Sequence, residues 1–430
     1  MNSAEFPEGS AMHAFAASLF PICRSITGDG VRQTLAAIRG HLPGLTVHEV
    51  PSGSKAFDWT VPDEWNIRSA RLIGPDGQTV VDFADHTLHV VGYSEPVDIE
   101  LSLDALQNHL HSLPDQPDAI PYITSYYSRR WGFCLTHRQR QTLKPGTYRA
   151  AIDSTLAPGS LTYGEVILPG ETEREIFLST YVCHPSMANN ELSGPAVATW
   201  LGKWLSGRSR RHTIRMVFIP ETIGSITYLS RNLALLKSRV AAGFNITCVG
   251  DERQYSYMPS RTGGTLADRA ALAALTELAP GFVPYSFLDR GSDERQYCAP
   301  GIDLPVCSVM RTRYSSYPEY HTSLDDLTLI TPAGLQGAFD VLKRAIELVE
   351  ANRTYRGTVL CEPQLGRRGL YSTLSTKSQA DETRIVRNVL AYADGTQDLL
   401  SIAALIGEAP MDCASVAKLL EKHGLLEEAP

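Results

Sequence analysis

Three apolar segments of the chain each end in a residue that can bind a metal ion or carry a proton. His184 follows STYVC, Glu221 follows MVFIP, and Asp251 follows ITCVG. The carboxyl ends of parallel strands lie at one edge of a sheet, so residues that follow such strands can converge. His321, in the polar stretch YSSYPEYHTSLDDL, is a fourth residue of this kind. A single one is more often a cap or a solvated side chain, but three at successive strand ends favour a common site.

These residue types suit hydrolysis assisted by a metal ion. Zinc binds neutral imidazole and carboxylate groups, keeps one position open for water, and lowers the pKa of that water to about 7. A nearby carboxylate that does not bind the metal can then take the proton. We therefore predict His184, Asp251 and His321 as metal ligands and Glu221 as the general base. Nitrogen and oxygen ligands suit zinc best, although manganese and cobalt also accept them.

The elements that must position these residues alternate between strand-like and helix-like segments. EIFLSTYVCH precedes SGPAVATWLGKWLS, and TIRMVFIPE precedes ITYLSRNLALLKSR. This alternation predicts an α/β fold, a three-layer core with a mixed, mostly parallel sheet that helices cover on both faces. We assign residues 1–50 and 151–355 to this core.

Two other parts of the chain have a different pattern. Residues 51–150 contain short apolar runs between turn signals, among them Asp76-Gly77, which is typical of a hairpin. We predict that they form a small β domain inserted into the core. Residues 370–430 contain three short helix-like segments, with Asp398 as an N-cap and Gly407 as a C-cap. They predict a winged-helix-like module.

Composition narrows the choice of partners. The 430 residues carry a formal net charge of −8, which argues against nucleic acid as the main partner because phosphate binding needs a basic field. The chain has no uninterrupted apolar run of about 18 residues, so we expect no membrane span. The start of the chain does not resemble a signal peptide, and the eight cysteines are scattered. We expect a cytoplasmic protein and leave a homo-oligomer open.

Longer motifs resemble those of the bacterial aminopeptidase-like family, which is related to the zinc-dependent exopeptidases typified by the Streptomyces-type aminopeptidases. The similar segments are HPSMANNELSG, PETIGS, VGDERQYSYMPSR, GSDERQYCAPG, YHTSLDDL, FDWTVPDEWNI and IPYITSYYSRRWGFCL. The resemblance covers nearly the whole chain. It implies an N-terminal helical start, an inserted β domain, an α/β catalytic core of the zinc exopeptidase type and a C-terminal winged helix.

The resemblance also implies roles for single residues. His184 matches the first metal-binding histidine of the family, and His321 matches the last. Asp251 matches an aspartate ligand, and Glu221 matches the general base. This set agrees with the one predicted from the residue types.

Two ligand positions of the family's two-metal site differ in this chain. The bridging carboxylate falls at Asn190, and a second glutamate ligand falls at Thr222. An amide oxygen is a weak, neutral ligand, whereas a bridging carboxylate holds two cations about 3.5–4 Å apart. We therefore predict one zinc ion rather than two. Glu191 is a possible substitute ligand, and Asn190 a possible hydrogen-bond partner of the ligands.

Three further residues are predicted to bind substrate. Asp293 lies in a Ser-Asp segment that is at the active site of related enzymes, so the resemblance implies a contact with a substrate ammonium group; capping of the following turn is an equal alternative. Arg313 and Tyr317 precede His321 in the same loop and can line the pocket. Tyrosines near such a histidine pack against neighbours about as often.

The predicted function is that of a metallo-aminopeptidase-like hydrolase, which cleaves an amide bond at a free amino terminus or in a small amide conjugate. The alternative is a binding or regulatory protein on a peptidase scaffold that has lost catalysis. Asn190 and Thr222 favour this alternative, because they stand where the family has metal-binding carboxylates. A transcription factor with a sensor domain is a third hypothesis and rests on the C-terminal module alone. The last helix there mixes Lys418 and Lys422 with Glu421, which is not a basic face.

Overall fold

The computed structural model describes residues 6–370 and 377–429. The chain divides into two compact units, one of residues Met1–Asp268 with Ala279–Val341 and the other of Arg269–Leu278 with Leu342–Pro430. The helices are, in chain order, α1 (Pro7–Leu19), α2 (Asp29–His41), α3 (Leu103–Leu106), α4 (His137–Gln141), α5 (Ser193–Ser206), α6 (Ile223–Arg239), α7 (Leu266–Leu278), α8 (Glu294–Tyr297), α9 (Pro332–Ala351), α10 (Lys377–Tyr392), α11 (Leu399–Ile406) and α12 (Pro410–Lys422).

The strands form one large and several small sheets. They are, in chain order, β1 (Thr46–Pro51), β2 (Lys55–Ala56), β3 (Trp59–Thr60), β4 (Glu64–Ile73), β5 (Thr79–Asp82), β6 (Val97–Ser102), β7 (Leu110–His111), β8 (Phe133–Cys134), β9 (Thr147–Ala157), β10 (Ser160–Leu168), β11 (Thr172–Tyr181), β12 (His212–Ile219), β13 (Val240–Asn245), β14 (Ser256–Met258), β15 (Val283–Pro284), β16 (Val306–Met310), β17 (Thr354–Gly357), β18 (Asp394–Asp398) and β19 (Leu426–Glu428).

The large sheet of the first unit has eight strands in the order β1-β10-β12-β11-β13-β16-β14-β15. Its centre is parallel, because β11 pairs with β12 and β13, and β13 pairs with β16, all in parallel. Strands β1, β10 and β14 join by antiparallel pairs. The predicted mixed, mostly parallel sheet is confirmed.

Helices cover both faces of this sheet because its central strands are apolar on both sides. Along β12, the side chain of Met216 points to the face that α5 covers. Gly202 of α5 packs so closely there that a Cβ atom at this position would lie 3.1 Å from the sulfur of Met216. The next residue, Val217, is buried in a cluster on the other side with Tyr228 and Leu229 of α6. The three-layer α/β core is therefore as predicted.

Register at the centre of the sheet determines where the strand ends lie. Tyr181, the last residue of β11, pairs with Ile219, the last residue of β12. On the other side of β11, Ser179 pairs with Asn245, the last residue of β13. The segments that follow these three strands therefore leave the sheet at the same edge, as the sequence predicts for His184, Glu221 and Asp251.

A four-stranded antiparallel sheet in the order β5-β4-β9-β6 lies between β3 and β10 in the chain. The hairpin between β4 and β5 turns at Gly77, which has a φ of 76°. This left-handed conformation favours glycine because glycine has no Cβ atom. Leu72, Phe133 and Tyr148 are buried in its core. The sequence boundaries of this insert, residues 51–150, stay a prediction.

In the second unit, α10, α11 and α12 pack with a three-stranded sheet in the order β18-β17-β19. Asp398 caps α11 by accepting a hydrogen bond from the backbone of Ser401, and Gly407 ends the helix with a φ of 70°. The predicted module starts at residue 370, and residues 371–376 lie outside the described residues.

Within the described residues, no single helix has both the length and the apolar composition that a membrane span requires; α11 and α12 meet these criteria only as a pair, and they are bent by 117° at their junction.

Candidate active site

His184 lies three residues beyond the end of β11 and is buried, with 4% of its surface exposed. Its Nδ1 atom is 2.9 Å from Oε2 of Glu191 and makes a hydrogen bond with it. Its other nitrogen, Nε2, is 3.6 Å from Oε2 of Glu221. The structure thus brings the histidine of one strand end next to the glutamate of the neighbouring strand end, as predicted.

His321 faces the same place from the loop before α9. Its ring centroid is 5.6 Å from that of His184 and 3.9 Å from that of Tyr320, on which it stacks. Nε2 of His321 is buried and has no hydrogen-bond partner among the described residues. Burial and the nearby His184 lower the pKa of His321 to about 3, so the ring is neutral at pH 7. A neutral imidazole is the form that binds a metal ion.

The inserted segment 120–126 holds this loop in place. The backbone N–H of Tyr122 donates to the carbonyl of His321 over 2.9 Å, and that of Ser323 donates to the carbonyl of Ile120 over 2.9 Å. The ring of Tyr122 contacts both site histidines edge-on, with centroids 5.4 Å from His184 and 5.2 Å from His321. The hydroxyl of Tyr126 lies 2.8 Å from that of Tyr122. The insert therefore forms one wall of the site.

Glu221 and Asp293 are two carboxylates close to each other. Thr222, with a φ of 61°, turns its backbone N–H to Oδ1 of Asp293 over 2.8 Å, and the hydroxyl of Ser225 donates to the same oxygen. Oδ2 of Asp293 is buried and unpartnered among the described residues. Burial, with the nearby charge of Glu221, raises the pKa of Asp293 to about 7, and burial also raises the pKa of Glu221.

Asp251 is buried and accepts four hydrogen bonds. The donors are Nδ2 of Asn189, the backbone and hydroxyl of Thr312, and the backbone of Arg253, at 2.6–3.0 Å. These four donors use both carboxylate oxygens. Asp251 therefore lies at the edge of the sheet where the sequence places it, but its oxygens are engaged by the protein itself.

Asn190 lies in a π-helical turn, residues Ala188–Leu192, directly before α5. Its Oδ1 atom accepts a hydrogen bond of 2.9 Å from the hydroxyl of Tyr181. Its Nδ2 atom is buried without a partner among the described residues. Isolated π-turns are frequent at functional sites because they redirect one residue of a helix.

The two remaining predicted residues make contacts away from the histidines. Arg313 donates to the carbonyl of Asp289 over 2.9 Å and lies over the ring of Tyr285. The hydroxyl of Tyr317 donates to Oδ2 of Asp325 over 3.0 Å. Asp325 also accepts from the backbone of the π-helical turn, so Tyr317 supports that turn.

The histidine pair fits a single metal ion. Two imidazoles on one tetrahedral zinc ion have ring centroids roughly 5 Å apart, since the Zn–N bonds are about 2.0–2.1 Å. The observed 5.6 Å is slightly wider. Among the described residues, the one group of three whose ligand atoms all lie within 4.8 Å of one another is Cys183, His184 and Glu191. The predicted ligands Asp251 and His321 do not form such a group with His184.

Sequence reasoning did not identify four residues that the structure places at the site. Tyr122, Tyr126 and Tyr181 surround His184, and Arg24 donates a hydrogen bond to its carbonyl oxygen. The segment IPYITSYYS contains two of the tyrosines and resembles a family motif, but its sequence does not indicate that it lies at the site. Arg24 follows the apolar run FPIC, and a single arginine in such a place is only a weak indication that its charge is buried and paired.

The fold is that of an aminopeptidase-like α/β protein. A zinc aminopeptidase from Bacillus subtilis is similar in structure, with a TM-score of 0.58 and 11% identity over 79% of this chain and 94% of the other. A peptidase M28 precursor from Shewanella amazonensis has a TM-score of 0.54 and 14% identity, covering 82% and 95%. At these identities the likeness shows the fold alone.

The chain belongs to the family described as a domain of unknown function (DUF4910), which it matches over residues 13–352. Residues 353–428 match a winged helix-turn-helix. A Clostridium acetobutylicum protein, provisionally described as a polysaccharide biosynthesis protein with an aminopeptidase-like domain, is 45% identical over 94% of this chain and 92% of its own length. A crystal structure from the same organism, provisionally described as a peptidase, has a TM-score of 0.92 and 42% identity, covering 98% and 96%.

Proposed function

We propose that the protein is a metal-dependent hydrolase that cleaves an amide bond at a free amino terminus or in a small amide conjugate. The observation that carries this proposal is the neutral, buried and unpartnered Nε2 of His321, whose ring faces His184. Buried polar atoms rarely lack a partner, and an ion that binds at the site is one explanation for such an exception.

Zinc is the metal that suits this set of donors. His184 and His321 supply imidazole nitrogens, and Asp251 is the proposed third ligand, which exchanges one of its four hydrogen bonds for the ion. When bound, zinc polarises the substrate carbonyl and acidifies a water molecule. With an amide at Asn190 and a hydroxyl at Thr222, we propose one ion rather than two.

Glu221 is the proposed general base. It lies beside His184, with its Oε2 atom 3.6 Å from Nε2. Burial raises the pKa of Glu221, and a raised pKa favours a carboxylate that both takes and returns a proton. Asp293, with one oxygen free, lies near Glu221 and is the carboxylate we assign to the amino group of the substrate. Arg313 and Tyr317 are further substrate-side residues in this proposal.

The test combines metal analysis with a substrate panel. Zinc per chain is measured in protein purified without chelator, and hydrolysis is followed with aminoacyl arylamides, short peptides and N-acylated amino sugars. The last class is included because the related protein is described in terms of polysaccharide biosynthesis. We expect about one zinc per chain and turnover of at least one class.

Glu221→Gln is expected to lower turnover by about 10²–10⁴-fold, the usual contribution of a general base, and to leave zinc bound. His321→Ala is expected to lose the zinc. Glu319→Gln is the matched control, since Glu319 is a partly buried glutamate that pairs with Arg253. Unchanged turnover in Glu221→Gln contradicts the proposed role of this residue.

A binding or regulatory protein is the second candidate, and Asn190 and Thr222 favour it. It predicts that short peptides bind with no hydrolysis, even in the zinc-loaded protein. It also predicts that Glu221→Gln leaves binding unchanged. The same panel, read by calorimetry as well as by turnover, separates the two.

A further inference from the structure

A buried ion pair lies directly behind His184. Arg24, in the segment between α1 and α2, and Glu191 both have side chains with 0% exposure, and Nε of Arg24 is 3.4 Å from Oε1 of Glu191. The same Nε donates to the carbonyl oxygen of His184 over 2.9 Å, and Nη1 donates to the carbonyl of Leu19 over 2.8 Å. The guanidinium therefore connects the N-terminal segment to the backbone and the carboxylate of the site.

The two oxygens of Glu191 have different partners. Oε1 faces Arg24, and Oε2 makes the 2.9 Å hydrogen bond with Nδ1 of His184. One carboxylate thus joins a guanidinium to an imidazole with no water-exposed atom between them. A fully buried ion pair costs several kcal/mol of desolvation per ion, so it is weak evidence for stability and calls for another explanation.

These residues do not form a metal site of their own with Cys183. An ion shared by Nδ1 of His184 and a Glu191 oxygen holds the two atoms roughly 3.3 Å apart, given Zn–N and Zn–O bonds of about 2.0–2.2 Å. The observed 2.9 Å is a direct hydrogen bond. The sulfur of Cys183 accepts the backbone N–H of Glu221 over 3.2 Å, and burial raises the pKa of the thiol to about 11. The positive charge of Arg24 also opposes a cation there.

We propose that Glu191 and Arg24 are positioning residues for His184. Glu191 accepts the Nδ1 proton of His184, which leaves the lone pair on Nε2, the nitrogen that faces Glu221. Arg24 fixes the carboxylate and the backbone of His184 at once. Metal-binding histidines commonly donate their second nitrogen to a carboxylate in this way, and loss of the carboxylate typically costs 10–100-fold in metal affinity. The proposal rests on His184 as a metal ligand in the proposed function.

The test replaces the pair with apolar residues of similar size, Arg24→Met together with Glu191→Leu. Such replacement of a buried ion pair is often neutral or stabilising, so the variant is expected to fold. The matched control is Arg215→Met with Glu175→Leu, which removes a second buried pair, joined at 2.6 and 2.9 Å, from the large sheet. Arg215 also pairs with Glu165, so the control carries Glu165→Gln as well. Zinc affinity is measured by competition with a chelator.

The tautomer of His184 is read in metal-free protein by ¹H–¹⁵N NMR of labelled histidine, with His184→Asn to assign the signal. The spectra are recorded at a pH high enough for the ring to be neutral, because Cys183 and Glu191 beside it raise the pKa of His184. We expect the Nδ1–H tautomer in the wild type and in the control, and its loss in the Arg24/Glu191 variant with a 10–100-fold weaker zinc affinity. An Nε2–H tautomer in the wild type, or unchanged affinity and tautomer in the folded variant, overturns the proposal.

The NMR arm separates this proposal from the proposed function. If the wild type has the Nδ1–H tautomer, the Arg24/Glu191 variant loses it, and yet the wild type binds no zinc, the proposed metallohydrolase function is wrong and the positioning role of Glu191 stands. If the wild type binds zinc and hydrolyses amides while the variant behaves like the control, only the positioning role fails. Should the double variant not fold, Glu191→Gln keeps the size of the side chain, removes its charge, and is expected to weaken zinc binding in the same direction.

Discussion

Asn190→Asp tests whether the amide at this position limits the site to one metal ion. The change keeps the size of the side chain and the oxygen that accepts from Tyr181. It replaces Nδ2, which is buried without a partner among the described residues, so no described hydrogen bond is lost. What it adds is a buried carboxyl group where related two-metal sites have their bridging carboxylate. We expect the variant to be destabilised without metal and to bind two zinc ions.

The destabilisation follows from the cost of keeping the new carboxyl group neutral. With an unfolded-state pKa near 3.9, protonation at pH 7 costs at most about 4 kcal/mol, and at pH 5 about 1.5 kcal/mol. Burial raises the pKa of this introduced carboxyl group in the folded state, so the folded state binds more protons than the unfolded state and stability falls as the pH rises. The loss relative to the wild type is therefore larger at pH 7 than at pH 5.

The assay is urea unfolding of the metal-free proteins at both pH values, followed by unfolding with zinc at pH 7 and by metal analysis. Asn245→Asp is the matched control, because Asn245 is also buried and donates to Glu294, away from the two histidines. Zinc is expected to restore the free energy of unfolding of Asn190→Asp but not that of Asn245→Asp. The reasoning is refuted if Asn190→Asp and the wild type are equally stable at both pH values. It is also refuted if each of the two proteins binds one zinc ion per chain.

Three further predictions concern other parts of the chain. Gly194→Ala places a Cβ 2.5 Å from the carbonyl oxygen of Ile246, so we expect a loss of about 2–3 kcal/mol in urea unfolding. Glu64→Gln removes a carboxylate whose pKa the hydrogen bonds from Arg32 hold at about 2; the loss is about 1–2 kcal/mol at pH 7 after solvent screening and disappears as the pH falls from 4.5 to 2. Residues 353–428 match a winged helix, but its helix α12 carries acidic as well as basic residues and so lacks the basic face that DNA binding needs. Fluorescence anisotropy is therefore expected to detect no sub-micromolar DNA binding at physiological salt.

The fold and the convergence of His184 with Glu221 could be predicted because both follow from local patterns. Each central strand is mostly apolar, which favours a sheet buried on both faces, and a polar residue follows each strand. Parallel pairing then aligns the strand ends, as in the pairs Tyr181–Ile219 and Ser179–Asn245. His184 and Glu221 meet for this reason alone.

The contacts that orient the site could not be predicted, because they join residues far apart in the chain. Arg24 and His184 are separated by 160 positions, and no periodic pattern links them. The direction of a side chain beyond a strand end depends on loop geometry rather than on the strand. Asp251 illustrates this dependence, since Asn189 and Thr312 turn toward it and occupy its oxygens.

Backbone strain supports a site that is still in use. Ten non-glycine residues among those described have a positive φ, and five of them, Tyr126, Ser186, Thr222, Cys248 and His321, lie in the segments that form the site. Such conformations cost about 1–3 kcal/mol each and persist only where the surroundings enforce them. Here the surroundings do so, because Asp293 holds the backbone of Thr222 and Tyr122 holds that of His321. Such strain is found at active sites and at ligand clamps alike, because both gain from groups that are in place before a ligand arrives. The strain therefore favours a preorganised site over an idle scaffold, and the turnover of Glu221→Gln decides between the hydrolase and the binding protein.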